Sequence, residues 1–403
     1  MNIGLPLLFA DAGRDSRMDT PLFGANDFGT RFGLLPREKI ELMVRRGMIS
    51  SPELEDAQFQ PASLDLRLGA RAFRVRASFL PGKSHSVQER FDALKSADDE
   101  ISLEGKGAVL ERGCVYVIPL LEYLKLPDSI SAIANPRSST GRLDIFTRLI
   151  TNKSDVFDRV ASGYEGPLYA EVSPRSFSVR VRKSSKLNQI RFRKLNSQQS
   201  EDSDFGLKEK ELRERHKKIP FIDREDDLEV RRDGLVLRVG LAAEPADGII
   251  GYKAQKHADI LDVDPVGAYC MADYWEPIRA RPDKRLILDP DEFYILASRE
   301  RLQIPPDLAA EMVPIDAAMG AFRVHYAGFF DPGFGASRDN RPSARAVFEV
   351  RSYEVPFFLE DGQMIGRLVF EKMAEPPQVL YGASAVSHYQ GQGLKLSKHF
   401  GME

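Results

Sequence analysis

Short runs of alternating or continuous apolar residues recur along most of this sequence, and they predict β-strands. The runs are residues 64–68, 114–120, 168–172, 178–181, 189–192, 286–288, 293–297, 346–350 and 367–370, with Pro and Gly between them. Residues 36–47 differ, because Ile40, Met43 and Val44 recur at helical spacing after a proline suited to a first turn. Many short strands and few helices predict a mainly β fold, a sandwich or a barrel.

Residues 194–233 interrupt this pattern. Residues 198–204 are polar, and mixed charges continue through residues 208–218 and 223–227. Residues 208–218 could form an exposed helix with opposite charges four residues apart, but they contain too few apolar residues to belong to a core. We interpret residues 201–233 as a connector between domains; the alternative is a surface insertion within one large domain.

The two flanks of this connector repeat one another at an offset of 178 residues. The matching pairs are Leu110/Leu288, Tyr116/Tyr294, Leu124/Leu302, Pro127/Pro305, Pro136/Pro314, Glu171/Glu349 and Phe192/Phe370. In both flanks a turn leads into a strand around the first two pairs. The sequence therefore predicts two diverged copies of one β domain, residues 1–200 and 234–403.

The net charge of the chain indicates which kinds of binding partner its overall field could attract. Lys and Arg (57) nearly equal Asp and Glu (60), so the net charge of −3 provides no global field toward nucleic acid or an anionic membrane. A polyanionic ligand would need a local cluster of cations. No apolar run approaches the ~18 residues of a membrane span, and the apolar residues 3–10 follow no basic segment. We therefore expect neither a signal peptide nor a membrane span, and we expect a soluble, cytoplasmic protein.

The number and spacing of the cysteines limit which disulfide and zinc sites the chain can form. Cys114 and Cys270 are the two cysteines of the chain, and they form no Cys-x-x-Cys spacing. One chain can therefore assemble neither a disulfide framework nor a structural zinc site.

The first candidate for chemistry is residues 135–142, where two arginines flank two hydroxyls after a predicted strand. Arg137 and Arg142 could offer planar cations, and Ser138 and Ser139 hydroxyl donors, to phosphate oxygens. Read alone, the segment is equally an ordinary solvated turn.

Two further candidates follow. In residues 327–335, Asp331 precedes Pro-Gly and Phe334 follows, so a carboxylate could bind a sugar hydroxyl beside an aromatic wall, although Asp-Pro-Gly is also a common turn. Glu171 and Glu349 each occupy the middle of an apolar strand at the same position of the two copies. Each carboxylate is either on the solvent face or buried with a functional reason.

The C-terminal arm, residues 381–398, is the last candidate. Tyr381, His388, Tyr389 and Gln392 alternate with glycines, and Lys395 and Lys398 follow. This composition suits a flexible arm that closes over an anionic ligand, or a disordered tail.

Together these segments resemble the dCTP deaminase branch of the trimeric dUTPase-like superfamily, over most of the chain. The motifs are Arg-Ser-Ser-x-x-Arg at residues 137–142, Ala-x-x-x-Asp-Pro-Gly-aromatic at 327–334, Gly-x-x-Ile-Gly-x-Leu-x-Phe at 362–370, Tyr-Gln-Gly-Gln at 389–392 and a first strand at 63–69. The resemblance implies two tandem dUTPase-like distorted β-barrel or jelly-roll domains with few short helices.

The resemblance also implies a reaction and roles. The reaction is zinc-independent hydrolysis of dCTP to dUTP and ammonia, with Mg²⁺ accompanying the triphosphate and dTTP as a feedback inhibitor. The implied catalytic residues are Glu349, or Glu171 in the first copy, as proton shuttle, with Ser138, Arg142 and the Ala327 carbonyl. The residues implied to bind substrate are Arg137, Ser139, Asp331, Phe334, Tyr381, His388, Tyr389 and Gln392.

The departures from the family pattern predict how these parts combine. The first copy has the Arg-Ser-Ser loop but no Asp-Pro-Gly turn; the second has that turn but reads Pro-Ile-Asp-Ala-Ala-Met-Gly at residues 314–320. Family sites lie between neighbouring subunits, so each copy has kept one half of a composite site. We expect one working site per two domains, in a homo-oligomer.

Zinc-dependent cytidine deaminases are excluded, because two lone cysteines cannot supply their ligands. Three alternatives to a dCTP deaminase remain. A dUTP diphosphatase, alone or combined with deamination, would instead attack the α-phosphorus. A non-catalytic nucleotide-binding regulator would bind dCTP without turnover, and a β scaffold that keeps its motifs by ancestry alone would bind no nucleotide.

Overall fold

The structure is a computed structural model that describes residues 28–94, 100–200, 203–224, 228–242, 247–314, 322–325, 328–339, 341–383 and 387–401. The chain divides into a unit of residues 1–30 and a compact unit of residues 31–403, which contains all the elements below. The apolar residues 3–10 and Ala327 lie outside the described residues.

In its described residues the first half has three α-helices and thirteen strands. In chain order they are β1 Gly33–Leu34, α1 Arg37–Arg45, β2 Ile49–Ser50, β3 Leu64–Arg67, β4 Arg71–Val75, α2 Val87–Leu94, β5 Glu100–Ser102, β6 Ala108–Leu110, β7 Val115–Lys125, β8 Ile130–Pro136, α3 Ser138–Gly141, β9 Ile145–Thr151, β10 Arg159–Val160, β11 Glu165–Pro174, β12 Val179–Val181 and β13 Lys186–Lys194.

The second half begins with a helix and continues with strands. These are α4 Glu209–Lys218, β14 Val230–Arg231, β15 Gly234–Arg238, β16 Ile249–Ala254, β17 Leu261–Asp262, β18 Trp275–Arg279, β19 Arg285–Leu288, β20 Phe293–Leu302, β21 Leu308–Pro314, β22 Phe322–His325, β23 Phe329–Phe330, β24 Ala344–Ser352, β25 Phe357–Glu360 and β26 Met364–Lys372. Strands coincide with every predicted apolar run, and α1 with the predicted helix.

The two halves have corresponding sheets. One sheet has the order β1-β13-β8-β10 in the first half, with β3 also on β13, and β14-β15-β26-β21-β23 in the second. The other runs β5-β4-β7-β11-β9 and β18-β16-β20-β24-β22. Glu171 lies opposite Val117, and Glu349 lies opposite Ile295, which is the same register 178 residues later. The repeat in the sequence is therefore a repeat in the fold, and the mainly β prediction is confirmed.

The structure corrects one expectation about residues 208–218. They form α4, with Glu209 and Glu211 in its first turn and basic residues in its last, as suits a helix dipole. Leu212, however, is fully buried in the core of the second half, and the backbone N–H of Phe221 donates to Nδ1 of the buried His216 at 3.0 Å. The statement that this segment has too few apolar residues to belong to a core was wrong, because one leucine suffices to anchor the helix.

Buried polar contacts join the two halves. The Arg193 guanidinium contacts the Glu371 carboxylate, with Nε 2.7 Å from Oε2. Asn135 Nδ2 donates to Glu311 Oε1 at 3.0 Å. Strand β12 also pairs with β17, in parallel. Such buried pairs require accurate geometry, so they fix how the halves are docked.

Within the described ranges, no helix has both the length and the apolar character needed to cross a membrane.

Candidate active site

An open cavity lies where the two halves meet. Its walls combine the Arg-Ser-Ser loop (residues 137–142) from the first half with strands, a turn and the C-terminal arm from the second. The predicted site residues that line it are Arg137, Ser138, Ser139, Arg142, Asp331, Phe334, Glu349, Tyr381, His388, Tyr389 and Gln392. The structure therefore brings the two half-sites together within one chain.

The Arg-Ser-Ser loop is a single tight turn after β8. The N–H groups of Thr140 and Gly141 donate to the Arg137 carbonyl at 2.9 and 3.0 Å, which turns Arg137 and Ser138 toward the cavity. The Arg137 guanidinium lies 3.1 Å from the buried Asp65 carboxylate of β3. This ion pair holds the arginine in place at the wall of the cavity.

Glu349 on β24 is the carboxylate suited to acid–base work. Its side chain is 6% exposed and, among the described residues, accepts no hydrogen bond and forms no ion pair. Burial raises the pKa of Glu349 well above its usual range; the Arg142 cation opposes this shift and the Asp144 anion adds to it. A carboxyl group with a raised pKa can both take up and release a proton near neutral pH.

Glu171, the other predicted candidate, does not line the cavity. Its carboxylate is buried on β11 and pairs with Arg148 of β9, with Oε1 2.7 Å from Nη2. The Arg148 guanidinium in turn lies 3.5 Å from the centroid of the Phe157 ring. Glu171 therefore lies outside the cavity that Glu349 lines and has a cation as its direct partner.

The Asp-Pro-Gly turn is held by the first half of the chain. Arg191 of β13 donates from Nη2 to Asp331 Oδ1 at 2.7 Å, and its guanidinium lies 4.0 Å from the Phe329 ring centroid. Gly333 has a φ of 90°, which L residues rarely adopt, and a Cβ there would meet the Leu380 side chain at 2.8 Å. The turn therefore places Asp331 in the cavity wall with one oxygen already fixed.

The C-terminal arm lies against both halves in its described part. Gln390 accepts from Gly335 N–H at 2.9 Å, which attaches the arm to the turn. Ser397 Oγ donates to the Ser139 carbonyl at 2.8 Å, and Arg142 Nη1 donates to the Lys395 carbonyl at 2.9 Å. The Arg142 guanidinium also lies 4.0 Å from the centroid of the Tyr389 ring. The arm therefore closes one side of the cavity.

Sequence reasoning assigned no role to Asp65 or Arg191 of this site, and it placed Lys398 only in an arm that could close over an anionic ligand. Asp65 lies within the first-strand motif, Arg191 within a β-strand, and Lys398 at the end of the arm. Lys398 lines the cavity, and burial, with help from Arg137, lowers its pKa to about 8. The motif around Asp65 and the position of Lys398 in the arm were usable signals. No sequence pattern indicated Arg191, because its partner Asp331 is 140 residues away in the chain.

Comparison with known proteins agrees with this geometry. Residues 31–196 match the N-terminal domain, and residues 208–400 the C-terminal domain, of the 2'-deoxycytidine 5'-triphosphate deaminase model. The crystal structure of 2'-deoxycytidine 5'-triphosphate deaminase from Agrobacterium tumefaciens is 47% identical, with a TM-score of 0.79, and the match covers 85% of this chain and all of that one.

Curated relatives align with shorter parts of the chain. A "dCTP deaminase, dUMP-forming" from Kocuria rhizophila is 30% identical over 119 residues, which is 28% of this chain and 58% of the relative. A protein of the same description from Methanosphaera stadtmanae is 30% identical over 142 residues, 34% of this chain and 68% of that protein. The domain models and the crystal structure extend over both halves described above, and the chain belongs to the 2'-deoxycytidine 5'-triphosphate deaminase family.

Proposed function

We propose that this protein is an enzyme that hydrolyses dCTP to dUTP and ammonia at the cavity between its two halves. The observation that carries the proposal is the Glu349 carboxylate, which is buried, unpaired among the described residues and in the same cavity as the Arg-Ser-Ser loop. Hydrolytic deamination at C4 of cytosine needs a group that takes a proton from water and returns protons to the ring nitrogen and to the departing ammonia. A single carboxylate of raised pKa can perform these steps.

The neighbouring residues supply the remaining functions. Ser138 would position the water or the tetrahedral centre, and Arg142 would offset the negative charge that develops during attack. Asp331 would accept the deoxyribose 3′-hydroxyl, beside the Phe334 ring that borders Tyr381, with centroids 5.6 Å apart. These roles follow from the residue types and from their common cavity.

The triphosphate would occupy the cationic side of the cavity. Arg137 and Lys398 line it, and the Lys398 ammonium forms no ion pair among the described residues. Within these ranges no three His, Cys, Asp or Glu side chains group closely enough to hold a metal ion. We therefore propose that Mg²⁺ enters as part of the substrate, held by phosphate oxygens and water.

One incubation tests the function. The purified protein is given dCTP, dCMP or dUTP, with and without a chelator, while ammonia and pyrophosphate are measured. Ammonia from dCTP without pyrophosphate is the expected result. Pyrophosphate from dUTP alone would replace the proposal with dUTP diphosphatase, and binding of dCTP without turnover would replace it with a regulator.

A dUMP-forming reaction is the second candidate, favoured by the descriptions of the relatives from Kocuria and Methanosphaera. It would consume two waters per dCTP and release ammonia and pyrophosphate in equal amounts. The same incubation distinguishes this reaction by the ratio of ammonia to pyrophosphate.

The feedback inhibitor dTTP would compete with dCTP, because both carry the triphosphate that the cationic side of the cavity fits.

Lys398→Ala should raise KM for dCTP about tenfold, because one charge-assisted hydrogen bond to phosphate is lost. Deprotonation of Lys398 above about pH 8 should lower kcat/KM of the wild-type protein in the same way, and the variant should lack this decline. Steady-state kinetics from pH 6.5 to 9.5, roughly the window around that pKa, measure both.

The matched control is Lys372→Ala, which removes the same charge from the surface ion pair with Glu211, outside the cavity. Its KM for dCTP should equal that of the wild type. An unchanged KM in Lys398→Ala would contradict a phosphate contact.

A further inference from the structure

The tail, which we define as residues 395–401, includes the end of the arm and is attached to the second half. The N–H groups of Gly267 and Tyr269 donate to the carbonyls of Lys398 and His399 at 3.0 and 3.1 Å. A ring of the tail also packs against three rings of the second half, with centroids 5.5 to 6.4 Å apart: Phe400 against Tyr269, Tyr274 and Trp275. Backbone and aromatic contacts therefore both hold the tail in place.

Lys398 occupies one corner of a turn within this tail. The N–H of Phe400 donates to the Ser397 carbonyl at 3.1 Å, and the N–H of Lys398 donates to the Tyr389 hydroxyl at 3.2 Å. The two neighbours of the lysine, Ser397 and His399, are each 2% exposed, whereas Lys398 itself lines the cavity. The only cation of this turn is thus carried on a corner whose flanking side chains are buried.

The two buried side chains connect the Arg-Ser-Ser loop to the second half. Ser397 Oγ lies 2.8 Å from the Ser139 carbonyl oxygen in that loop and 2.9 Å from Nδ1 of His399. Nε2 of His399 lies 2.8 Å from the Val263 carbonyl oxygen. Neither Ser397 nor His399 lines the cavity. A row of three polar contacts therefore passes behind Lys398, on the side away from the substrate.

His399 contributes no charge to this row at neutral pH. Burial lowers the pKa of His399 to about 4; the contact with the Val263 carbonyl opposes this shift, and the Lys398 and Arg137 cations add to it. The imidazole and the Ser397 hydroxyl are therefore both uncharged in the range where Lys398 titrates. Their loss would change the support of the ammonium group and not the charge beside it.

We propose that Ser397 and His399 are positioning residues, which anchor the tail to the Arg-Ser-Ser loop and so hold the Lys398 ammonium where the triphosphate binds. This inference rests on the proposed function. Lysine carries its charge on a flexible stem, so a phosphate contact is strongest where the backbone of the lysine is already fixed. Fixing it before dCTP arrives reduces the entropy that binding would otherwise cost.

The experiment is a double-mutant cycle with Ser397→Ala and Lys398→Ala, measured as KM and kcat for dCTP. Ser397→Ala should raise KM about fivefold and change kcat by less than about twofold, because Lys398 is present but less often in place. In the Lys398→Ala background the same substitution should change KM by less than about twofold. Ser397→Thr retains the hydroxyl and should restore the wild-type KM.

Ser352→Ala is the matched control. It also removes a buried hydroxyl that donates to a backbone carbonyl, that of Val355 at 2.6 Å, but it lies outside the cavity. Its KM for dCTP should equal that of the wild type, and its loss of melting temperature calibrates the structural cost in Ser397→Ala. If Ser397→Ala does not fold, His399→Gln replaces it in the cycle with the same expected result.

Equal increases in KM with and without Lys398 would contradict the proposal, as would a lowered melting temperature with an unchanged KM. Equilibrium binding of dCTP should weaken by the same factor as KM rises, so the link to Lys398 is measured independently of turnover. Absence of ammonia release in the wild-type protein would refute the proposed function, whereas binding that is insensitive to Ser397→Ala would refute the positioning role.

Discussion

Glu349→Gln should lower kcat for dCTP deamination by about 10³-fold while KM changes little. The amide has the shape of the carboxyl group but neither takes up nor releases a proton, so the attacking water is no longer activated. Because the side chain is buried and unpaired among the described residues, the replacement leaves no charge without its partner. Ammonia release under saturating dCTP measures the loss, and equilibrium binding of dCTP verifies that the cavity is intact.

Glu171→Gln is the matched control. It makes the same chemical change at the equivalent position of the other copy, outside the cavity. The variant should deaminate dCTP at a rate near that of the wild type, and any loss should appear in thermal stability, because Arg148 is left without its carboxylate. The opposite ranking of the two variants would assign the reaction to Glu171.

Arg142→Ala should lower kcat about 100-fold and move the acidic limb of the pH profile upward. The Arg142 cation opposes the upward shift of the Glu349 pKa that burial causes, so its removal raises that pKa further. The variant also loses the hydrogen bond to the Lys395 carbonyl and the contact with the Tyr389 ring. Kinetics between pH 5 and 9, roughly two units to either side of neutrality, measure both effects.

Arg148→Ala provides the comparison for Arg142→Ala, since it removes an equally charged side chain from the Glu171 pair. Its pH profile should match that of the wild type. An identical profile in Arg142→Ala would show that the guanidinium has no electrostatic influence on Glu349.

The architecture was largely predictable from the sequence. Period-two apolar patterns located the strands, and the 178-residue offset predicted their repetition, because both depend on local residue order. The motifs also identified most residues of the cavity: the Arg-Ser-Ser loop, Asp331, Glu349 and the aromatic residues of the arm.

The features of the site and fold that could not be predicted depend on contacts between residues far apart in the chain. Glu171 and Glu349 occupy equivalent positions of similar apolar strands, so the strand pattern did not distinguish them. The structure places Glu349 in the cavity wall and pairs Glu171 with Arg148 on the neighbouring strand. Arg191 reaches Asp331 across the contact between the halves. Leu212 was misjudged for the same reason, since a helix with few apolar residues can still pack if one of them meets a pocket in the core.

The buried pair of Arg193 and Glu371 has a consequence for how the two copies came to differ. These residues are 178 positions apart, so each is the counterpart of the other in the repeat. Identical subunits docked in this way would set arginine against arginine or glutamate against glutamate, a buried like-charge contact. Within one chain, the two equivalent positions can carry complementary charges instead. This contact therefore favours the pairing of one half with the other over the pairing of either half with a copy of itself.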